Sequence, residues 1–165
     1  MISENYSNIT NAITYQKLMI SSPAFLDHHR IPIKYTGDGD NVIPPIKISG
    51  IPKNAKSLAV ILEDKDSLLK KVYWVAWNVP AKNFIHHNNF EGINGRNYFN
   101  QNRYTGPKHP RGIHRYSFKV FALNKMLNLP SWAGRDDLFK AMCNYIVGMG
   151  EITVKYNRKR AFDVY

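Results

Sequence analysis

The chain has one cysteine, Cys143, so no disulfide can close within it, and a reducing compartment is the natural setting. It has no apolar run near the roughly 20 residues that a membrane-spanning helix requires. Its first residues, MISENYSNITNAITYQKLMI, lack the basic start and apolar block of a signal peptide, and a cytoplasmic location is expected. A Gly-x-Ser-x-Gly elbow, a phosphate-cradling Walker loop and a dinucleotide Gly-x-Gly-x-x-Gly loop are all missing, which argues against the common serine hydrolases, nucleotide hydrolases and dinucleotide enzymes. Metal spacing is missing too. His28-His29 and His86-His87 are adjacent pairs whose side chains diverge in extended backbone, and Thr36-Gly37-Asp38-Gly39-Asp40-Asn41 lacks the distal Glu of a calcium loop and reads as a turn. No cofactor and no metal are expected.

Acid is also scarce. Twelve Asp and Glu face 23 Lys and Arg, a net charge of +11. That balance permits contact with nucleic acid or anionic lipid. The basic residues are spread along the chain, however, and the one dense run is Arg158-Lys159-Arg160. A basic nucleic-acid or membrane-surface binder therefore stays as an alternative reading, with specific nucleic-acid binding not expected.

What is present suits one domain over 1–165: 44% hydrophobic residues and 13% aromatic ones, enough to fill a core. Residues 1–16 read as a loose polar arm. Strands are expected from Lys17 to Ile20, over 31–35 as an edge strand because of Pro32, and over 46–50. Two apolar runs, Ser57 to Leu62 and Val72 to Val79, read as the sheet centre, joined by the charged loop Glu63-Asp64-Lys65-Asp66-Ser67. Residues 88–105, rich in Asn and Gly, read as a long surface loop. The spacing of Leu138, Met142, Tyr145, Ile146 and Met149 predicts a helix over 136–149, ended by Gly148 and Gly150, before a final strand over 151–156. The sum is a mainly β protein of two packed antiparallel sheets with a C-terminal helix and closing strand.

The stretch that organises the chain is GPKHPRGIHRYSFKVFAL, residues 106–123. Gly106, Pro107, Pro110 and Gly112 stiffen and bend a loop, and His114-Arg115-Tyr116 open a strand. Alternation puts His114 and Tyr116 on one face and Arg115 on the other. A loop with free backbone N–H groups beside an imidazole and a phenol suits a small anion. Asp64 and Asp66, at the end of a buried strand, could act as acid and base, as ligands, or as acceptors for a cationic headgroup; an ordinary charged loop is the plain alternative.

The order of these motifs resembles the phosphatidylethanolamine-binding protein family, also called Raf kinase inhibitor-like, in its bacterial branch. LAVILEDKDS at 58–67 and WVAWNVPA at 74–81 look like its first conserved block, GPKHPRGIHRYSFKVFAL like its second, and LFKAMCNYIVGMGEITVKY like its closing helix and strand. The resemblance implies a non-enzymatic protein with a small pocket for a phosphate-like anion or a phospholipid headgroup. Carried over by position, that pocket takes Asp64 and Asp66 from the first block and Gly106, Pro107, His114 and Tyr116 from the second. It also implies a homodimer, and a protein partner such as a kinase by family analogy. The chain departs from the pattern at six positions. Lys65, Ser67 and Leu68 replace Pro, Ala and Pro; Tyr73 takes the place of a pocket histidine; and Lys108 and His109 bring extra donors to the rim. The catalytic alternative, hydrolysis or transfer at a phosphate or acyl group, needs an activated nucleophile that no motif supplies.

Overall fold

The computed structural model describes residues 15–108 and 110–158, apart from the side chain of Asn89. The expected N-terminal arm up to residue 14, His109, and Lys159-Arg160 of the basic run lie outside the described residues. The strands are β1 (Gln16–Lys17), β2 (Met19–Ser21), β3 (Ile46–Ser49), β4 (Ser57–Asp64), β5 (Val72–Val79), β6 (Phe84–Ile85), β7 (Ile93–Asn94), β8 (His114–Leu123) and β9 (Ile146–Tyr156), with helix α1 (Arg135–Met142) between the last two. They form a six-stranded sheet in the order β1-β9-β8-β4-β5-β7 and a three-stranded sheet β2-β3-β6. All pairings are antiparallel except β1 on β9, which is parallel. No helix among the described residues is long and apolar enough to cross a membrane.

Strand β4 explains the layering. Every one of its residues is buried. Leu58, Val60 and Leu62 face the small sheet, packed with Ile46, Ile48, Trp74, Phe118 and Val120. Ala59 and Ile61 face the other way, with Val75, Trp77, Phe121 and the α1 residues Leu138 and Met142. A strand covered on both faces has no reason to alternate, hence the unbroken apolar run. Glu63 continues the α1 side, where it bonds Lys119 Nζ at 2.5 Å and Arg135 Nε at 3.1 Å. Asp64 continues the small-sheet side.

Three local expectations are corrected. Residues 31–35 are not an edge strand. Ile31 makes only the flank of a bridge, its N–H donating to Lys155 O at 3.0 Å, and Pro32 then starts a 3-10 turn over Ile33–Tyr35. Proline has no N–H with which to carry a ladder onward. The helix stops at Met142, and the apolar positions beyond it belong to β9, where Ile146 pairs with Leu123. Gly148 and Gly150 do not end a helix. They lie within β9, where the N-terminal segment crosses from one sheet to the other: a Cβ at Gly150 would sit 2.3 Å from Leu18 O. Residues 88–105 are not a free surface loop either. They contain a 3-10 turn over His87–Asn89 at their start and β7, and they bury Asn97, Tyr104 and Thr105.

Candidate functional site

Antiparallel pairing of β4 with β8 sets Asp64 opposite Tyr116, so the end of one strand meets the start of the other. His114, two residues earlier on the same face as Tyr116, then reaches Asp64: Nδ1 donates to Oδ2 at 2.7 Å. The other carboxylate oxygen, Oδ1, accepts the Asp66 N–H at 2.9 Å. Asp64 is 4% exposed, and both of its oxygens are held. With the carboxylate ionised, Nδ1 keeps its proton in either charge state of the ring, so Nε2 is the atom left to a ligand. No hydrogen bond engages Nε2 among the described residues, and the His114 side chain is 24% exposed.

Tyr73 arrives through an irregularity. Leu62 pairs with Trp74 and Glu63 with Val72, which leaves Tyr73 as the extra residue of a bulge in β5. A bulge re-aims a side chain, and here the Tyr73 ring meets the Tyr116 ring edge-on, centroids 5.4 Å apart. His114 stacks with Tyr116 at 6.4 Å. Burial above all, with Asp64 nearby, pushes the Tyr73 phenol up to about 12. Burial, the facing Tyr73 and Asp64 push the Tyr116 phenol far above the ordinary tyrosine range. Both phenols therefore stay protonated and can donate. The Tyr116 hydroxyl is fully buried. The Tyr73 phenol is near enough to act on it as a weak hydrogen-bond partner and by charge, but lies outside ordinary hydrogen-bond geometry.

The loop before β8 is arranged differently from a cradle of free donors. Gly106 N–H already donates to Asn41 Oδ1 at 2.7 Å, and Pro107 has no N–H; its carbonyl accepts Gly37 N–H at 2.9 Å. Gly106 is glycine because a Cβ there would sit 2.1 Å from Tyr35 O. The two residues clamp the loop to residues 35–41 and bound the cluster as a wall. Asp66 is turned to the outside of the cluster. It accepts from Arg115 N at 2.8 Å, Nε at 3.2 Å and Nη2 at 2.8 Å, and these bonds hold its carboxyl down at about 2. Lys108 lies at the rim with Nζ 4.2 Å over the Phe99 ring, and Phe99 packs edge-on to Tyr73.

Two supports escaped sequence reasoning. Asn41 is one. Asn97 is the other: Nδ2 donates to Tyr73 O and Thr105 Oγ1, and Oδ1 accepts from Phe99 N and Gln101 N. An asparagine that bonds the backbone two residues on is a turn-former, and that signal was lost among the many Asn residues of 88–105.

The comparisons with known proteins bear on this arrangement. The sequence profile of the phosphatidylethanolamine-binding proteins matches residues 21–157. The chain belongs to the phosphatidylethanolamine-binding protein family. It is 39% identical over 160 residues to a UPF0098 protein of Pyrococcus abyssi, covering 87% of this chain and 88% of the relative. To a UPF0098 protein of Methanothermobacter thermautotrophicus it is 34% identical over 148 residues, 84% of this chain and 98% of the relative. The crystal structure of a phosphatidylethanolamine-binding protein homologue from Chlamydia trachomatis superposes with a TM-score of 0.82 at 26% identity, covering 87% of this chain and 99% of that one. Escherichia coli YbcL, described as a new member of the mammalian family, shares the fold at a TM-score of 0.77 and 22% identity, covering 86% and 99%.

Family membership supports a non-enzymatic binding role at the level of the family. Within this phosphatidylethanolamine-binding protein fold, an opening lies next to the cluster. It is a cavity of about 700 Å³ whose lining includes Arg30, Ile31, Asp38, Tyr156 and Arg158. Tyr156 is the β9 partner of His114, and its hydroxyl donates to Asp38. Its cations are partly committed: Arg30 bonds Asn157 Oδ1 at 2.7 Å and Asn157 O at 2.9 Å. The His114 cluster is the better candidate, since among the described residues it joins an open imidazole nitrogen to a buried hydroxyl without a hydrogen-bond partner of ordinary geometry.

Proposed function

We propose that His114, Tyr116 and Tyr73, backed by Asp64, form the binding site for a small phosphate-like anion or a phospholipid headgroup, without chemistry on the ligand. The observation that carries the reading is the buried Tyr116 hydroxyl, with no hydrogen-bond partner of ordinary geometry, beside a histidine whose Nδ1 is already held by Asp64. A buried donor without a partner is costly, and an anion oxygen would satisfy it together with His114 Nε2. Nε2 donates to the anion when the ring carries both protons. Asp64 compensates the ring's charge and fixes its angle. Gly106 and Pro107 shape the wall, Asp66 anchors the strand entrance through Arg115, and Lys108 adds positive potential at the rim.

A catalytic role would need an activated nucleophile with a base in reach. The phenols beside His114 are shifted the opposite way, so the groups present favour holding over reacting. The test is calorimetric titration with inorganic phosphate and with phosphoethanolamine. His114→Ala removes a charge-assisted hydrogen bond of about 1.5–3 kcal/mol, so affinity should fall about tenfold or more. Equal binding by the wild type and His114→Ala would move the anion site elsewhere.

A further inference from the structure

The acids and bases around the His114 cluster are unevenly committed. Asp64 gives one oxygen to His114 and the other to the Asp66 N–H. Asp66 gives both of its oxygens to Arg115, whose charge cancels its own. In the 35–41 loop that Gly106 and Pro107 clamp, Asp38 takes the Tyr156 hydroxyl. Asp40 is exposed on that loop and makes no bond to the cluster among the described residues. Neither carboxylate that reaches the cluster is therefore open to an incoming cation.

The basic side has an uncommitted member, and it is held in place. Lys108 follows Pro107 in the wall. Gly37 leaves room for its stem, since a Cβ there would sit 2.6 Å from Lys108 Cβ. Its Nζ lies 4.2 Å over the Phe99 ring, and Phe99 meets Tyr73 edge-on with centroids 5.2 Å apart. These contacts keep the ammonium on the Tyr73 side of the cluster. Lys108 takes part in no ion pair among the described residues, so no carboxylate compensates its field. Lys65, in the turn between Asp64 and Asp66, is exposed and has no ion pair either. A ligand on His114 Nε2 and the phenols thus meets a rim with fixed positive charge and no acid in reach to balance it.

We infer that the site selects phosphate esters whose organic part carries no ammonium group, with Lys108 as the selecting residue. The inference rests on the proposed site for where the phosphate sits. An ammonium two carbons from that phosphate enters the rim, where Lys108 repels it and neither Asp64 nor Asp66 is open to receive it. A neutral or acidic substituent meets no such opposition. Phosphoethanolamine still binds through its phosphate, but more weakly. A free phosphate ester and the headgroup of an acidic phospholipid share the selected chemistry.

The test is calorimetry at low salt with inorganic phosphate, phosphoethanolamine, n-propyl phosphate, in which a methyl replaces the ammonium, and monomeric dihexanoyl phosphatidic acid. A pH of about 7.5 keeps the phosphates of both short esters largely dianionic. n-Propyl phosphate should bind about threefold or more tighter than phosphoethanolamine, the size of one unit-charge repulsion across a wet rim. The gap should narrow as salt rises. Lys108→Met keeps a stem against Gly37 and should close the gap; Lys108→Glu should reverse it. Phosphatidic acid tighter than n-propyl phosphate assigns the ester to a lipid, and equal binding assigns it to a free metabolite; both support the selection. Equal affinity for n-propyl phosphate and phosphoethanolamine, or tighter phosphoethanolamine, overturns the selection and leaves the site reading intact. A preference unchanged in both Lys108 variants overturns Lys108 as its source. No binding of inorganic phosphate or of any ester overturns the site reading, and the selection with it.

Discussion

Tyr116→Phe separates binding from folding more cleanly than any other change in this protein, because the two should move in opposite directions. The hydroxyl is fully buried in the folded chain and has no hydrogen-bond partner of ordinary geometry, only the Tyr73 phenol as a weak one, whereas in the unfolded chain water supplies a good one. Stranding such a group costs about 1–3 kcal/mol. Phenylalanine keeps the ring, with its edge-on contact to Tyr73 at 5.4 Å and the stacking of His114 at 6.4 Å. The ligand-free variant should therefore gain about 1 kcal/mol or more, the low end of that range. For a chain of this length that is a rise of about 2–4 °C in Tm. An anion loses the donor, and a neutral hydrogen bond contributes about 0.5–1.5 kcal/mol net, so affinity should drop about two- to tenfold. Urea denaturation and phosphate calorimetry on the same preparations read both quantities. A variant that is less stable and binds as before would refute the reasoning, since the hydroxyl would then be serving the fold.

Other expectations follow from contacts elsewhere. Gly106→Ala should destabilise by about 1–3 kcal/mol or more in a urea melt, because its Cβ would sit 2.1 Å from Tyr35 O and force the 35–41 loop off. Gly150→Ala should loosen the crossing at Leu18, read as faster amide exchange in β1 and β2, since its Cβ would sit 2.3 Å from Leu18 O. Burial works to raise the Glu63 carboxyl, but the bonds and charges of Lys119 and Arg135 hold it below its ordinary value of about 4.5. A lowered folded pKa contributes stability that is fully present above the ordinary value and lost as pH falls through the folded one. Glu63→Gln should thus cost about 1.5–3 kcal/mol at neutral pH, and wild type and variant should converge in acid, which denaturation at a series of pH values will show.

The parts of this fold legible in the sequence were those in which burial is written locally. Strands β4, β5 and β8 are buried along most of their length, and their apolar runs say so without reference to any partner. Strand β9 was misread because Tyr145, Ile146 and Met149 continue a helical spacing that α1 abandons. Only pairing with β8 decides between the two, and pairing is a long-range fact. Gly148 and Gly150 mislead for the same reason: the chain that requires them, at Leu18, lies 130 residues earlier. In the site, the shared face of His114 and Tyr116 follows from period two alone. Asp64 meets them through the β4–β8 register, which no spacing reveals. Asp66 was carried into the pocket together with Asp64, but the chain turns at the strand end, where Asp64 caps the Asp66 N–H, and that turn sends the second carboxylate to Arg115. The bulge that presents Tyr73 and the Asn41 and Asn97 contacts that brace the loop are tertiary and have no sequence period at all.

The most direct measurement is a crystal structure of the protein soaked with phosphoethanolamine. The account predicts the phosphate within hydrogen-bond distance of His114 Nε2 and Tyr116 Oη, with the Asp64–His114 contact kept. A phosphate held instead by Arg30 and Arg158 in the neighbouring cavity, with Tyr116 still unpaired, would contradict it.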